Sequence, residues 1–357
     1  MKRLIPALLA LSLVLCACGT QERAPATTVP TTTAAPTTEV TTAPTTEPTT
    51  APTTEPQPQF RHPLTGLPLY APMTERPVAV VTNNLAAAMP QHGTSQADIL
   101  IEILAEGGVT RNLAIYTDIR SVPAIGAVRS ARTYFQSLAR SFDAVLVHAG
   151  DSSYAHEQFK TGRYPNVDGM YTTIFYRDQN RLNAGYSLEH TLFINGQTLY
   201  DYAAQRYRMT TDRTDFGLRF NENLEMTGDP ATKVTVAFHT WGKTTQLTYD
   251  GEQGAYSMFQ HGRDYVDGNT KERVYFSNVL VLYASMRTVE SLHVFHTLEG
   301  SNAGFYATGG KLRPITWTRA NEDAPFTFTY TDGTPVEMTP GKTFIAVIHG
   351  NSTVSYE

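Results

Sequence analysis

Two arginines three residues apart, Arg129 and Arg132, stand in the stretch IGAVRSARTYFQSLARSFDAVLVHAGDSSY, which runs from Ile125 to Tyr154. Guanidinium forks suit carboxylate or phosphate groups, which they grip through paired, charge-assisted hydrogen bonds. A helix beginning near Arg129 or Ser130 would add free backbone N–H groups and the positive end of its dipole beside Gly126. Polar residues able to complete such an anion site close two apolar runs: Asn83 and Asn84 after Pro77 to Val81, and His148 and Asp151 after Ala144 to Val147. The expected binding set is therefore Arg129, Arg132, Asn83, Asn84, His148 and Asp151. A plainer account pairs the two arginines internally with Glu102, Glu106 or Asp143, since buried arginines ordinarily have structural partners.

Other chemistries fit the residues less well. His148, Asp151, His156 and His190 can be drawn as a metal site, but a three-residue step on a loop is not a helical two-histidine motif, so neither a metal nor a cofactor is expected. Gly150-Asp151-Ser152 resembles an esterase nucleophile block, yet the late Asp and His three apart that such enzymes need are missing. Phosphate-loop, dinucleotide and nucleophile-elbow patterns are also missing. Two functional readings remain. One is a binding module that holds an anionic group of wall glycan, peptide or a partner protein. The other is a hydrolase or transferase acting on cell-wall polymer, with His148 or Glu102 as general base. No nucleophile, base and orienter occur in recognisable order, which favours the binding module.

The elements that must position these residues follow from periodicity. Val128, Ala131, Phe135, Leu138 and Phe142 recur at the three- and four-residue steps of one helix face, with Arg129, Arg132, Gln136 and Arg140 on the opposite stripe. The runs Pro77 to Val81 and Ala144 to Val147 read as strands buried on both faces. From Ile99 to Glu106, Ser95 and Asp98 suggest a helix cap, but alternating Ile99, Ile101 and Ile103 suggest a strand, and Gly107-Gly108 favours a hairpin into the Val109 to Tyr116 run. Ser153 could cap a short helix through Phe159, Tyr171 to Tyr176 reads as a strand, and Gly196 to Arg208 as a helix. A polar stretch over 211–231 then separates the halves. Beyond it come short β-rich runs: Lys233 to His239, Gln246 to Tyr249, Val274 to Phe276, Val279 to Tyr283, Leu292 to Thr297, Phe305 to Thr308, Ile315 to Thr318, Phe326 to Tyr330, Val336 to Met338 and Phe344 to Ile348. The predicted architecture is an α/β domain over 60–210, built on a mixed sheet with helices, and a mainly-β sandwich or open barrel over 232–357.

The N-terminal end speaks of export. Lys2 and Arg3 precede the apolar run Leu4 to Leu15, so residues 1–17 form a signal peptide too short to span a bilayer as a mature helix. Leu15-Cys16-Ala17-Cys18-Gly19 resembles the bacterial lipobox, which makes Cys18 the lipidated first residue of the mature chain. Both cysteines of the chain lie here, so no internal disulfide is expected. From there to residue 59 the chain is Thr, Pro, Ala and a few Glu, with TTAPTTEP repeated, too poor in apolar surface to offset its ordering entropy. Extended as polyproline II, about 40 residues at ~3.1 Å each reach on the order of 100 Å, a tether across a thick envelope of Gram-positive type. The expected place is the outer face of the cytoplasmic membrane. The formal net charge of −5 and pI near 6.1, without a long basic cluster, argue against nucleic acid as a partner.

Several blocks, taken in order, resemble one family. RPVAVVTNN, SQADILIEILAEGGVTR, IGAVRSAR with the following VHAG, and SLEHTLF are similar to the first domain of the YerB-type bacterial lipoproteins, and Trp317 to Phe344, with DGTPVEMTPGKTF, to their C-terminal domain. The resemblance spans nearly all of 60–357. It implies an envelope lipoprotein of two domains of unknown function, and supplies no catalytic residues. Members often read HAGGS where this chain has His148-Ala149-Gly150-Asp151-Ser152, so Asp151 departs from the pattern.

Overall fold

The computed structural model describes residues 57–239, 242–289 and 293–357. The leader, Cys18 and nearly all of the Thr/Pro-rich segment lie outside the described residues. The frame of the protein is a mixed sheet of eleven strands to which both halves of the chain contribute. From the N-terminal half come β1 (Val78–Asn83), β2 (Ile99–Leu104), β3 (Thr110–Tyr116), β4 (Val145–His148) and β5 (Asn166–Asp168). β2 and β3 form the expected antiparallel hairpin, with residues 105–109 as its loop. β1 pairs antiparallel with β3 and parallel with β4.

The C-terminal half supplies β6 (Lys233–Ala237), β7 (Thr244–Asp250), β8 (Ala255–Gln260), β9 (Asn278–Tyr283), β10 (Gly300–Thr308), β11 (Lys311–Arg319), β12 (Thr343–Ile348) and β13 (Thr353–Tyr356). It does not close into its own sandwich or barrel. β12 lies parallel to β9 on one side and to β2 on the other, so the large sheet crosses the sequence boundary without a break. β6, β7, β8 and β13 belong to a second, six-stranded sheet. Alternation along each strand explains the layering. Val78 and Val80 face one core, which also holds Val234, Val236, Tyr256 and Met258 of the second sheet; Ala79 and Val81 face another, filled by α1 (Thr133–Ser141). In β12, Phe344, Ala346 and Ile348 enter the first core and Ile345 and Val347 the second. A strand buried on both faces is expected to be largely apolar, and β12 is so from Phe344 onward, with Thr343 at its start.

Three local expectations need correction. The helix begins at Thr133, not near Arg129: residues 127–132 run extended, bridging Thr82 to Val128 and Ala131 to Asp151, with Arg129 N–H donating to Val81 O at 2.9 Å. Val128 and Ala131 are buried as expected, but by a strand-like segment whose burial imitates helical spacing. Tyr171 to Tyr176 is not a strand; β5 takes the sheet position, and the Asp168 carboxylate, accepting from Gly150 N and Met170 N at 2.8 and 2.9 Å, turns the chain away. Val336 to Met338 is not a strand; of these residues only Met338 makes an isolated bridge, to Phe220. The helix α2 (Ser153–Phe159) is capped by Ser152, whose hydroxyl accepts from Ala155 N, and α3 (Gly196–Ala204) ends before Arg208.

Candidate functional site

Period-two alternation puts Glu102 of β2 on the same face as Leu100 and Leu104, looking into the layer between the two sheets. Its carboxylate has no solvent exposure. Oε1 accepts from Asn84 Nδ2 at 2.9 Å and Thr110 Oγ1 at 2.6 Å, with Lys243 Nζ at 3.3 Å; Oε2 accepts from Thr245 Oγ1 at 2.7 Å and Gln260 Nε2 at 3.0 Å. A buried carboxylate is tolerable when its lone pairs are filled this way, by donors from both halves of the chain. Burial pushes the Lys243 amine below its ordinary value, against the opposing pull of Glu102.

Because the carboxylate demands donors, Asn84 and Gln260 must both turn their NH2 groups toward it. Asn84 Oδ1 and Gln260 Oε1 are left without a hydrogen-bond partner among the described residues. Beside this network opens a cavity of about 530 Å³, lined among others by Asn84, Thr110, Lys243, Gln246, Phe259 and His261. Its rim is backbone set against backbone: a Cβ on Gly242 would lie 2.7 Å from Gly108 O. His261 Nε2 lies 3.0 Å from Asn84 O, and burial together with the Lys243 charge holds the ring below the ordinary histidine value. The neutral ring therefore donates from Nε2 and keeps Nδ1 as an acceptor. A smaller cavity of about 190 Å³ shares Gln260 and His261 and is bounded by Met89, Pro90 and Tyr265.

The expected binding residues are divided between the two faces of the large sheet. Asn84 belongs to the Glu102 network. On the other side Arg129 Nη1 meets Glu189 Oε2 at 2.7 Å, and Arg132 holds both oxygens of Glu106, at 2.6 and 2.9 Å. Asn83 Nδ2 donates to His190 Nδ1 at 3.0 Å. His148 is 1% exposed, stacked on Phe159, with Nδ1 2.9 Å from Gly150 O, and Asp151 faces His156 at 3.3 Å. Neither general base considered above is placed to take a proton from a substrate: His148 is sealed, and both oxygens of Glu102 are occupied. Lys243, Thr245 and Gln260 were absent from the expected site. Their signal was a polar residue at an inward position of an alternating strand, beside Leu247 in β7 and Met258 in β8.

A two-part fold, with an α/β half and a β half sharing one sheet, is the class that this architecture defines. Residues 64–210 match the family described as "Protein of unknown function (DUF3048) N-terminal domain", and residues 234–345 match its C-terminal domain. The chain belongs to this family. It is 31% identical over 299 residues to the Bacillus subtilis (strain 168) protein named "Putative lipoprotein YerB", covering 81% of this chain and 86% of that one. The crystal structure of YerB protein from Bacillus subtilis is similar, with a TM-score of 0.73 and 27% identity over 83% of this chain and all of that one.

Proposed function

We propose that this chain is a lipid-anchored, extracytoplasmic binding module that holds a component of the cell envelope in the crevice beside Glu102 and Lys243. The observation that carries the reading is the crevice itself: a cavity of about 530 Å³ with buried, fixed polar groups on its floor and a half-exposed aromatic, Phe259, on its wall. Such a concave site with few, well-placed polar groups is what small-ligand and polymer sites need. Lys243 is neutralised by Glu102, so the floor asks for hydrogen bonds more than for charge. Hydroxyl- and amide-bearing groups, as in wall glycan or its peptides, would pair with the Gln246 side chain and with His261 Nδ1 on the lining. The leader, the lipobox ending in Cys18 and the name of the Bacillus subtilis relative support a lipoprotein at the outer face of the membrane, with the Thr/Pro-rich segment as tether.

Titration calorimetry with soluble muropeptides, with the peptide-free disaccharide and with the free stem peptide tests the binding reading. Saturable heat with one of them is expected, and Gln246→Ala or His261→Ala should weaken it about tenfold, roughly one hydrogen bond to a polar ligand. No heat from any of the three overturns it. For the anchor, Cys18→Ser should move the protein from the membrane fraction into the soluble one; retention with the membrane contradicts the assignment of Cys18.

A further inference from the structure

On the face of the large sheet opposite Glu102, three arginines come together. Arg111 lies on β3 in register with Asn83, and Arg129 and Arg132 lie on the extended segment before α1. The last two are paired, with Glu189 and Glu106. Arg111 is not. It is 8% exposed, and of its five N–H groups one makes a hydrogen bond among the described residues, from Nη1 to Ser130 O at 3.1 Å. Other deeply buried arginines here are far better satisfied: Arg181 donates to the carbonyls of Ala88, Pro90 and His190, and Arg319 to those of Ala324, Ser137, Leu298 and Glu322. Glu106 lies close enough to favour the Arg111 charge, but both of its oxygens are already held by Arg132.

The charges do not balance. Burial and the neighbouring guanidinium groups push Arg111 down only to about 10, so it remains a cation at neutral pH, and burial holds His190 below the ordinary histidine value. Among the described residues, three cations face two carboxylates. Moreover, α1 starts at Thr133, three residues after the Ser130 carbonyl that Arg111 touches, and no side chain caps it. Its first N–H groups and dipole add to the positive potential at that place.

We propose that Arg111, with the start of α1, forms a binding site for a single oxyanion group, a carboxylate or a phosphate monoester. The ligand would accept from the unused N–H groups of Arg111 and supply the missing negative charge. This site lies across the sheet from the crevice and does not depend on it.

The test uses the full chain, with inorganic phosphate and with acetate as separate probes, against chloride at constant ionic strength. Calorimetry and melting temperature are followed together, since a ligand of the native state raises the latter by mass action. Saturable binding of at least one probe is expected, weakened tenfold or more in Arg111→Gln. Phosphate alone assigns the site to phosphate monoesters, and acetate alone to carboxylates; both together support the shared oxyanion chemistry. If Arg111→Gln does not fold, Arg111→Lys keeps the charge but loses the planar fork, and should still bind more weakly. Absence of saturable binding in the wild type, or wild-type affinity in the folded variant, overturns the proposal.

Discussion

At the scale of single residues, buried polar groups on both faces of the large sheet carry the consequences. Glu102→Gln would leave Lys243 buried beside a neutral amide. Removing one member of a buried pair typically costs about 3–5 kcal/mol, and the Glu102→Gln, Lys243→Met double variant should recover part of it. Urea unfolding of Glu102→Gln, Lys243→Met and the double variant measures this; additive losses contradict the pairing. His296 makes a second prediction. Its Nε2 donates to Leu104 O at 2.9 Å, while Nδ1 is buried with no hydrogen-bond partner among the described residues. A proton there would be a buried, unpaired charge, and burial pushes the imidazole from 6.5 to about 4. Between those values the unfolded chain binds more protons than the native one. Stability therefore falls as pH drops from 6.5 toward about 4, by up to about 1.4 kcal/mol per pH unit from this one group. His296→Leu should flatten that part of the profile, at a pH-independent cost of about 0.5–1.5 kcal/mol for the lost hydrogen bond, since the Leu104 carbonyl still accepts from the Tyr134 hydroxyl. Equal slopes in both proteins would show that another group is responsible.

At the scale of elements, α3 shows how closely a helix can be set against the rest. Gly196 N donates to Val122 O at 2.9 Å, and a Cβ at this position would lie 1.8 Å from the carbonyl oxygen of Ile119. The obstacle is backbone, which cannot swing aside as a long side chain can. Gly196→Ala should therefore cost about 1–3 kcal/mol despite the better helix propensity of alanine; a variant as stable as wild type in urea would contradict this packing. The start of α1 teaches a related point. Val128 and Ala131 carry helical spacing because both are buried, yet an extended segment pinned to Val81 and Asp151 buries them equally well. Spacing reports burial, and the hydrogen-bond partners, which lie far away in sequence, decide the conformation.

At the scale of the molecule, β12 joins the halves. It sits between β2 and β9, so a chain lacking it would expose the edges of two buried strands. Expressed separately, 57–231 and 232–357 should be insoluble or unfolded, whereas co-expression should restore a soluble complex. Two soluble, cooperatively melting halves would show that each has a sufficient core of its own.

Much of this protein was legible in its sequence because it depends on local rules. The helix through Phe159 followed from its polar start and the one expected over Gly196 to Arg208 from periodicity, although the first is capped by Ser152 and the second ends at Ala204, and most strands followed from β-branched runs. The family was legible from ordered blocks spread along nearly the whole folded part. The partner of a charge was legible only in part: Glu106 stood among the carboxylates offered to the two arginines, and it does hold Arg132. Glu102 was visible as a carboxylate in a strand, but its cation, Lys243, lies 141 positions away and meets it because β12 brings the second half onto the first. Likewise nothing in the Val109 to Tyr116 run singled out Arg111. Only the tertiary structure shows it beside Arg129 and Arg132, short of acceptors, because charge balance is a property of neighbours in space.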